Sequence, residues 1–125
     1  MVTANALSIS DAAEVTGLSA HTLRYYERAG LMLDPVGRAP SSHRRYSESE
    51  IRWVTLLSRM RATGMPIRRI RDYAELVRSG DGNEDQRLAL LEAHRDAVLA
   101  QLDAMRRNLE AIDYKIEVYR ERLGG

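Results

Sequence analysis

Between Ser19 and Arg28 the chain reads SAHTLRYYER. Ser19, His21, Thr22, Arg24, Tyr25, Tyr26 and Arg28 crowd long or polar-tipped side chains into one short stretch. A second group follows in PVGRAPSSHRRYSESE, where Arg38, His43, Arg44, Arg45 and Tyr46 gather. These residue types suit oxyanions and base edges. A guanidinium fork binds a phosphate or a guanine edge at two points. They do not suit catalysis. The three histidines, His21, His43 and His94, are scattered, and cysteine is absent. The acidic residues fall mostly at helix-surface spacing. No acid–base pair, nucleophile or metal-ligand set emerges, so the expectation is a non-enzyme that needs no cofactor. The surplus of arginine, 18 against the single Lys115, fits phosphate recognition and fits a GC-rich coding sequence equally well. It decides nothing alone.

The elements that must position these groups can be read from caps and spacing. Ser8 or Ser10 caps a helix with apolar positions Ile9, Ala12, Ala13 and Val15, and Gly17 ends it. Ser19 caps a second helix, from about Ala20 to Ala29, closed by Gly30, with Leu23 facing inward. Two short helices around a tight glycine turn form a helix-turn-helix, here 9–29, whose second helix enters the major groove of DNA. Pro35, Gly37, Pro40 and two serines then break the pattern. A basic stretch at 31–46, directly after that motif, reads as a wing. A solvated loop with spare charge is the plainer alternative. Ser47 with Glu50 forms a capping box, followed by Ile51, Val54, Leu57 and Met60 or Arg61 at helical spacing, with Gly64 as the stop. Pro66 sits in the first turn of a fourth helix, with an inner stripe of Ile67, Ile70, Tyr73 or Ala74, and Val77. These two helices occupy 47–79, and SGDGN (79–83) is a loop.

The clearest periodicity comes last. Leu88, Leu91, Val98, Leu102, Met105, Leu109, Ile112, Ile116, Tyr119 and Leu123 recur in steps of three and four, interrupted only at Arg95. A helix of roughly 40 residues would be about 60 Å long, too long for an 80-residue domain to cover. Each stripe side chain left wet forgoes roughly 1.5–3 kcal/mol. The stripe therefore calls for a second helix, most simply that of a second copy. Arg95 reads as a register device or a bridge to the partner. The expected organisation is mainly α: a winged helix-turn-helix domain over 1–80 and a coiled-coil dimerisation helix over 81–125.

Global properties agree. Residues 1–83 carry net +3 and residues 84–125 net −2, within an overall +1, so a polyanion would favour the first part. The absence of cysteine excludes disulfides. No apolar run approaches the ~20 residues of a membrane span, and the first residues lack the pattern of a secretory signal. A soluble cytoplasmic protein is expected.

The strings LSISDAAEVTGLSAHTLRYYERAGLM and HRRYSESEIRWVTLLSRMRATGMPIRRIRDY, with the long final helix, resemble the MerR family of transcription regulators over nearly the whole chain. The resemblance implies a winged helix-turn-helix and an antiparallel dimeric coiled coil. It implies double-stranded promoter DNA with a pseudo-palindromic operator as partner, bent and untwisted to control transcription, and RNA polymerase reached through that promoter. By position it implies recognition contacts from His21, Thr22, Arg24 and Tyr25. Tyr26 would touch phosphate or buttress the helix. Arg44 would be the wing arginine, beside Arg38, Arg45 and Tyr46. Ser42 departs from the family where a wing glycine is common, so a differently built wing turn is expected. ATGMPIRRIRDYAELVRSGD and LEAIDYKIEVYRERL are similar to a subgroup linked to aldehyde, electrophile or oxidative stress. Several of its members sense with a cysteine, which this chain lacks. No ligand domain is expected after the coiled coil. A small ligand could sit where Trp53, Met65 and Tyr73 meet the partner's final helix, although ordinary packing explains those residues as well. A coiled-coil adaptor without DNA binding is the competing function. It accounts for 84–123 but leaves Arg24, Tyr25, Arg44 and Arg45 without a role.

Overall fold

A computed structural model describes residues 6–33, 37–38 and 44–124, with the backbone alone at 37, 38, 44 and 45. The elements run β1 (Leu7–Ser8), α1 (Ile9–Thr16), α2 (Ala20–Arg28), β2 (Gly37–Arg38), β3 (Arg44–Tyr46), α3 (Glu48–Ala62), α4 (Ile67–Arg78) and α5 (Glu84–Gly124). They form two compact units, Met1–Arg87 and Leu88–Gly125.

Within the first unit, local chemistry sets the helix ends. Ser8 rather than Ser10 caps α1, its hydroxyl accepting from the Asp11 amide at 3.1 Å. Ser19 caps α2 through the Thr22 amide at 3.0 Å. The second helix ends in a Schellman motif: Gly30, at φ 74°, donates to Glu27 O and Leu31 to Tyr26 O. Gly30 supplies the left-handed turn that a side chain would strain. The capping box before α3 is complete. Ser47 Oγ accepts from Glu50 N at 3.2 Å, and Glu50 Oε1 accepts from Ser47 N at 2.7 Å. Pro66 lies one residue earlier than expected, as the N-cap of α4, where its carbonyl receives the Arg69 and Ile70 amides.

Within the 31–46 stretch β2 and β3 pair antiparallel as a hairpin, with Gly37 opposite Arg45 and Arg38 opposite Arg44. Pro35, Pro40, Ser42 and His43 lie outside the described residues. The hairpin is part of a three-stranded sheet of order β1-β3-β2. Leu7 pairs with Tyr46 and Ser8 with Arg45, so the two residues before α1 are joined to the wing. The core comprises Ala12, Leu23, Tyr26, Leu31, Met32, Tyr46, Trp53, Val54, Leu57, Met60, Met65, Ile70 and Ala74. Val15 does not join it. At 64% exposure it faces an open groove lined with Leu7, Glu48, Ile51 and Arg52. The eight residues of α1 make about two turns, and the buried side is occupied through Ala12.

The fifth helix is one unbroken element of 41 residues. Its stripe is wet: Leu88, Leu102, Met105, Leu109, Ile112, Ile116, Tyr119 and Leu123 are all exposed, from 42% at Ile116 to 89% at Leu123. Leu91 and Val98 are partly covered. Lys115 and Arg122 flank the Tyr119 ring, at 6.0 and 5.7 Å from its centroid.

The reciprocal cap at Ser47 joins the sheet to α3, which supplies Trp53, Val54, Leu57 and Met60 to the core. Ser47→Ala should lower the unfolding free energy by about 1 kcal/mol. Urea titration at matched protein concentration measures this, and an unchanged midpoint would show that the cap contributes nothing.

Candidate nucleic-acid interface

Two side chains divide α2 into a seated face and a presented one. Leu23 is 1% exposed and Tyr26 4%. On the other side His21, Arg24, Tyr25 and Arg28 are exposed. Their spacing of i, i+3, i+4 and i+7 puts them on one face of a helix. Two arginines, an imidazole and a phenol thus share an outward surface just beyond a capped helix start, which is the end that a recognition helix directs at base edges. Ser19 and Thr22 lie at that end. Their hydroxyls are 3.0 Å apart and the Ser19 oxygen also holds the Thr22 amide, so both belong first to the cap.

The adjacent tyrosines have separate tasks. Tyr25 is 39% exposed and belongs to the outward surface. Tyr26 is buried, which selects the buttress over the phosphate contact. Its ring centroid lies 6.1 Å from that of Tyr25, at 52°. Burial pushes the Tyr26 phenol above its ordinary value, partly opposed by the Arg61 guanidinium. It therefore stays neutral at physiological pH.

Tyr46 is corrected in the same way. It was expected beside the wing arginines at the DNA, but the structure buries it fully. Its partner across the sheet is Leu7, and one face of so small a sheet must close the core. Arg38, Arg44 and Arg45 are placed on the two wing strands by their backbones. Trp53, Met65 and Tyr73, the candidate ligand pocket, are tightly engaged. Trp53 stacks on Tyr73 at 5.7 Å and 12°. Its indole N–H donates to Leu31 O at 2.8 Å, and Met65 is 2% exposed.

Residues absent from the sequence expectation hold the end of α2. Arg71 Nε donates to Ala29 O at 3.3 Å. Arg78 donates to Gly30 O through Nη2, and to Met32 O through Nη2 at 2.8 Å and Nε at 3.2 Å. No local signal marks these contacts, because they join residues 42 to 48 positions apart.

Among the described residues, no group of three or more His, Asp or Glu could hold a metal ion, and no helix is long and apolar enough to cross a membrane.

Comparison with known proteins bears on this surface. The model of the MerR helix-turn-helix regulatory protein family matches residues 7–76, and that of the MerR DNA-binding region matches 51–114. An uncharacterised helix-turn-helix transcriptional regulator of Haemophilus influenzae is 36% identical over 110 residues, covering 88% of this chain and 81% of the relative. The crystal structure of a MerR-family regulator from Listeria monocytogenes superposes with a TM-score of 0.85 at 36% identity, covering 91% of this chain and 86% of that one. HiNmlR, a MerR-family regulator lacking the sensor domain and solved bound to promoter DNA, gives a TM-score of 0.83 at 34% identity over 96% of each chain. These likenesses span both the helix-turn-helix and the long helix, and they set aside an adaptor that does not bind DNA. The chain belongs to the MerR family and is a DNA-binding transcription regulator.

Proposed function

We propose that the chain acts as a homodimer on a pseudo-palindromic promoter operator and controls transcription by bending and untwisting that DNA. The exposed face of α2 carries this reading. His21, Arg24, Tyr25 and Arg28 are presented together while Leu23 and Tyr26 are buried behind them. HiNmlR, similar over nearly its full length, was solved on promoter DNA. That supports the same partner here. The wing strands carry Arg38, Arg44 and Arg45 to the phosphates beside the groove. Backbone contacts of that kind offset the energy of deforming the duplex. RNA polymerase is then affected through the shape of the promoter, with no catalytic step by the regulator. The place of action is the cytoplasm, beside the DNA.

The second copy is argued from α5. Its stripe, from Leu88 to Tyr119, is largely exposed in the single chain and has the three-four spacing of a coiled-coil seam. An antiparallel pair would cover it on both copies and place two α2 helices on one duplex. Under this reading 1–80 binds DNA and 81–125 dimerises. A stress-sensing role like that of the similar subgroup would have to work without cysteine.

Two measurements test the proposal. An operator is first selected by the wild-type protein from a random duplex pool, and it should show inverted-repeat symmetry. Arg24→Ala should then weaken operator binding by roughly 1–3 kcal/mol if the contact is to a base. If the contact is to phosphate, the loss should be similar on every sequence and the salt slope should shrink. Unchanged binding would remove α2 from its assigned role. For the seam, light scattering at micromolar concentration should give twice the chain mass, and Leu109→Asp with Ile112→Asp should halve it. A monomeric wild type, or a double variant that remains dimeric, would refute the seam.

A further inference from the structure

Four successive backbone carbonyls link the end of α2 to the start of the wing, and each is held by a side chain from α3 or α4. Ala29 O receives Arg71 Nε, Gly30 O receives Arg78 Nη2, Leu31 O receives Trp53 Nε1, and Met32 O receives both Nε and Nη2 of Arg78. Leu31 and Met32 are buried, at 0% and 7% exposure. Their carbonyls must find protein partners, because buried backbone acceptors are rarely left unpaired. Ala29 and Gly30 lie at the C-terminal end of α2, where the helix dipole concentrates negative charge. Two guanidinium groups at that end complement it. The two arginines project from α4 at positions 71 and 78, seven residues apart, which returns them to nearly the same helix face.

We infer that Arg71 and Arg78 are positioning residues for DNA recognition: by gripping the carbonyls of Ala29, Gly30 and Met32, they fix the angle at which α2 leaves the domain and the point from which the wing departs. This rests on the reading of α2 as the recognition helix. A helix of nine residues has little rigidity of its own. The Ser19 cap anchors its start, and Leu23 and Tyr26 seat one side. Neither sets the direction of the chain beyond Ala29. Arg78 does so, because one planar fork spans carbonyls two residues apart. A lysine could not reproduce that geometry while keeping the charge.

The inference separates three roles that arginines near DNA can play. A direct phosphate contact adds affinity on every sequence and steepens the salt dependence. A purely structural contact changes thermal stability and leaves discrimination alone. A positioning contact changes discrimination, since base contacts need the helix at the right angle while general attraction does not.

The test uses the full chain, the selected operator and a scrambled duplex of equal length. Binding to both is measured over a range of salt, with a thermal melt of each variant. Arg78→Lys should reduce the ratio of operator to scrambled affinity by roughly tenfold, the scale of a lost charge-assisted bond. Its binding to the scrambled duplex and its salt slope should stay at the wild-type values. Arg71→Gln should lower the ratio in the same direction by less, since Arg71 makes one bond where Arg78 makes three. It carries the test if Arg78→Lys does not fold. Arg24→Ala, measured alongside, separates the two readings. If Arg24→Ala leaves binding to both duplexes unchanged, the assignment of α2 fails and the inference falls with it. If Arg24→Ala weakens operator binding but folded Arg78→Lys and Arg71→Gln leave the ratio unchanged, the positioning role alone is overturned. Equal weakening on both duplexes with a smaller salt slope would also overturn it, in favour of a phosphate contact.

Discussion

A nine-residue helix does not hold its shape in water, and this constraint organises the first unit. The presented face of α2 exists because the rest of the unit supplies what so short a helix lacks. Ser19 closes one end. Leu23 and Tyr26 are buried on one side, and the Schellman turn at Gly30 and Leu31 closes the other end. From there the chain enters the core at Leu31 and Met32, where Trp53 and Arg78 donate to its carbonyls. The exposed quartet of His21, Arg24, Tyr25 and Arg28 can remain polar because none of it is needed for seating. The presented and the seated side chains thus occupy opposite faces of one element.

The long helix meets the opposite constraint. It has length and internal hydrogen bonds enough, but its apolar stripe has no cover from 102 onward. Side chains such as Leu109 and Ile112, 54% and 57% exposed, would each gain on the order of 1.5–3 kcal/mol if fully buried. A like stripe on a second copy is the simplest surface of the same length and spacing. The symmetry of such a pair would pass to the DNA, since two identical reading heads need two equivalent half-sites.

Much of this was legible in the sequence because its determinants are local. Ser19, Gly30 and the Ser47–Glu50 box mark their helix ends within three or four residues, and the α5 stripe repeats often enough to be unmistakable. The failures share a cause as well. Tyr25 and Tyr26 are the same residue type, and only the packed domain decides which is buried. Tyr46 follows two arginines and looks like part of their surface, yet pairing with Leu7 turns it into core. A two-residue strand such as β1 has no periodicity to detect. Val15 fits an apolar pattern on a helix too short to bury every apolar position. The grip of Arg71 and Arg78 on the end of α2 depends on residues 42 to 48 apart in the chain, and no pattern in either segment announces the other.

The central claim is that two copies of the outward face of α2 read the major groove of one promoter site. Dimethyl sulfate methylates guanine N7, which lies in the major groove, so its protection pattern on the selected operator reports this directly. The account predicts two shielded patches related by a two-fold axis, both appearing at the same protein concentration. A saturated operator with N7 reactivity unchanged, or with one unsymmetrical patch, would contradict it.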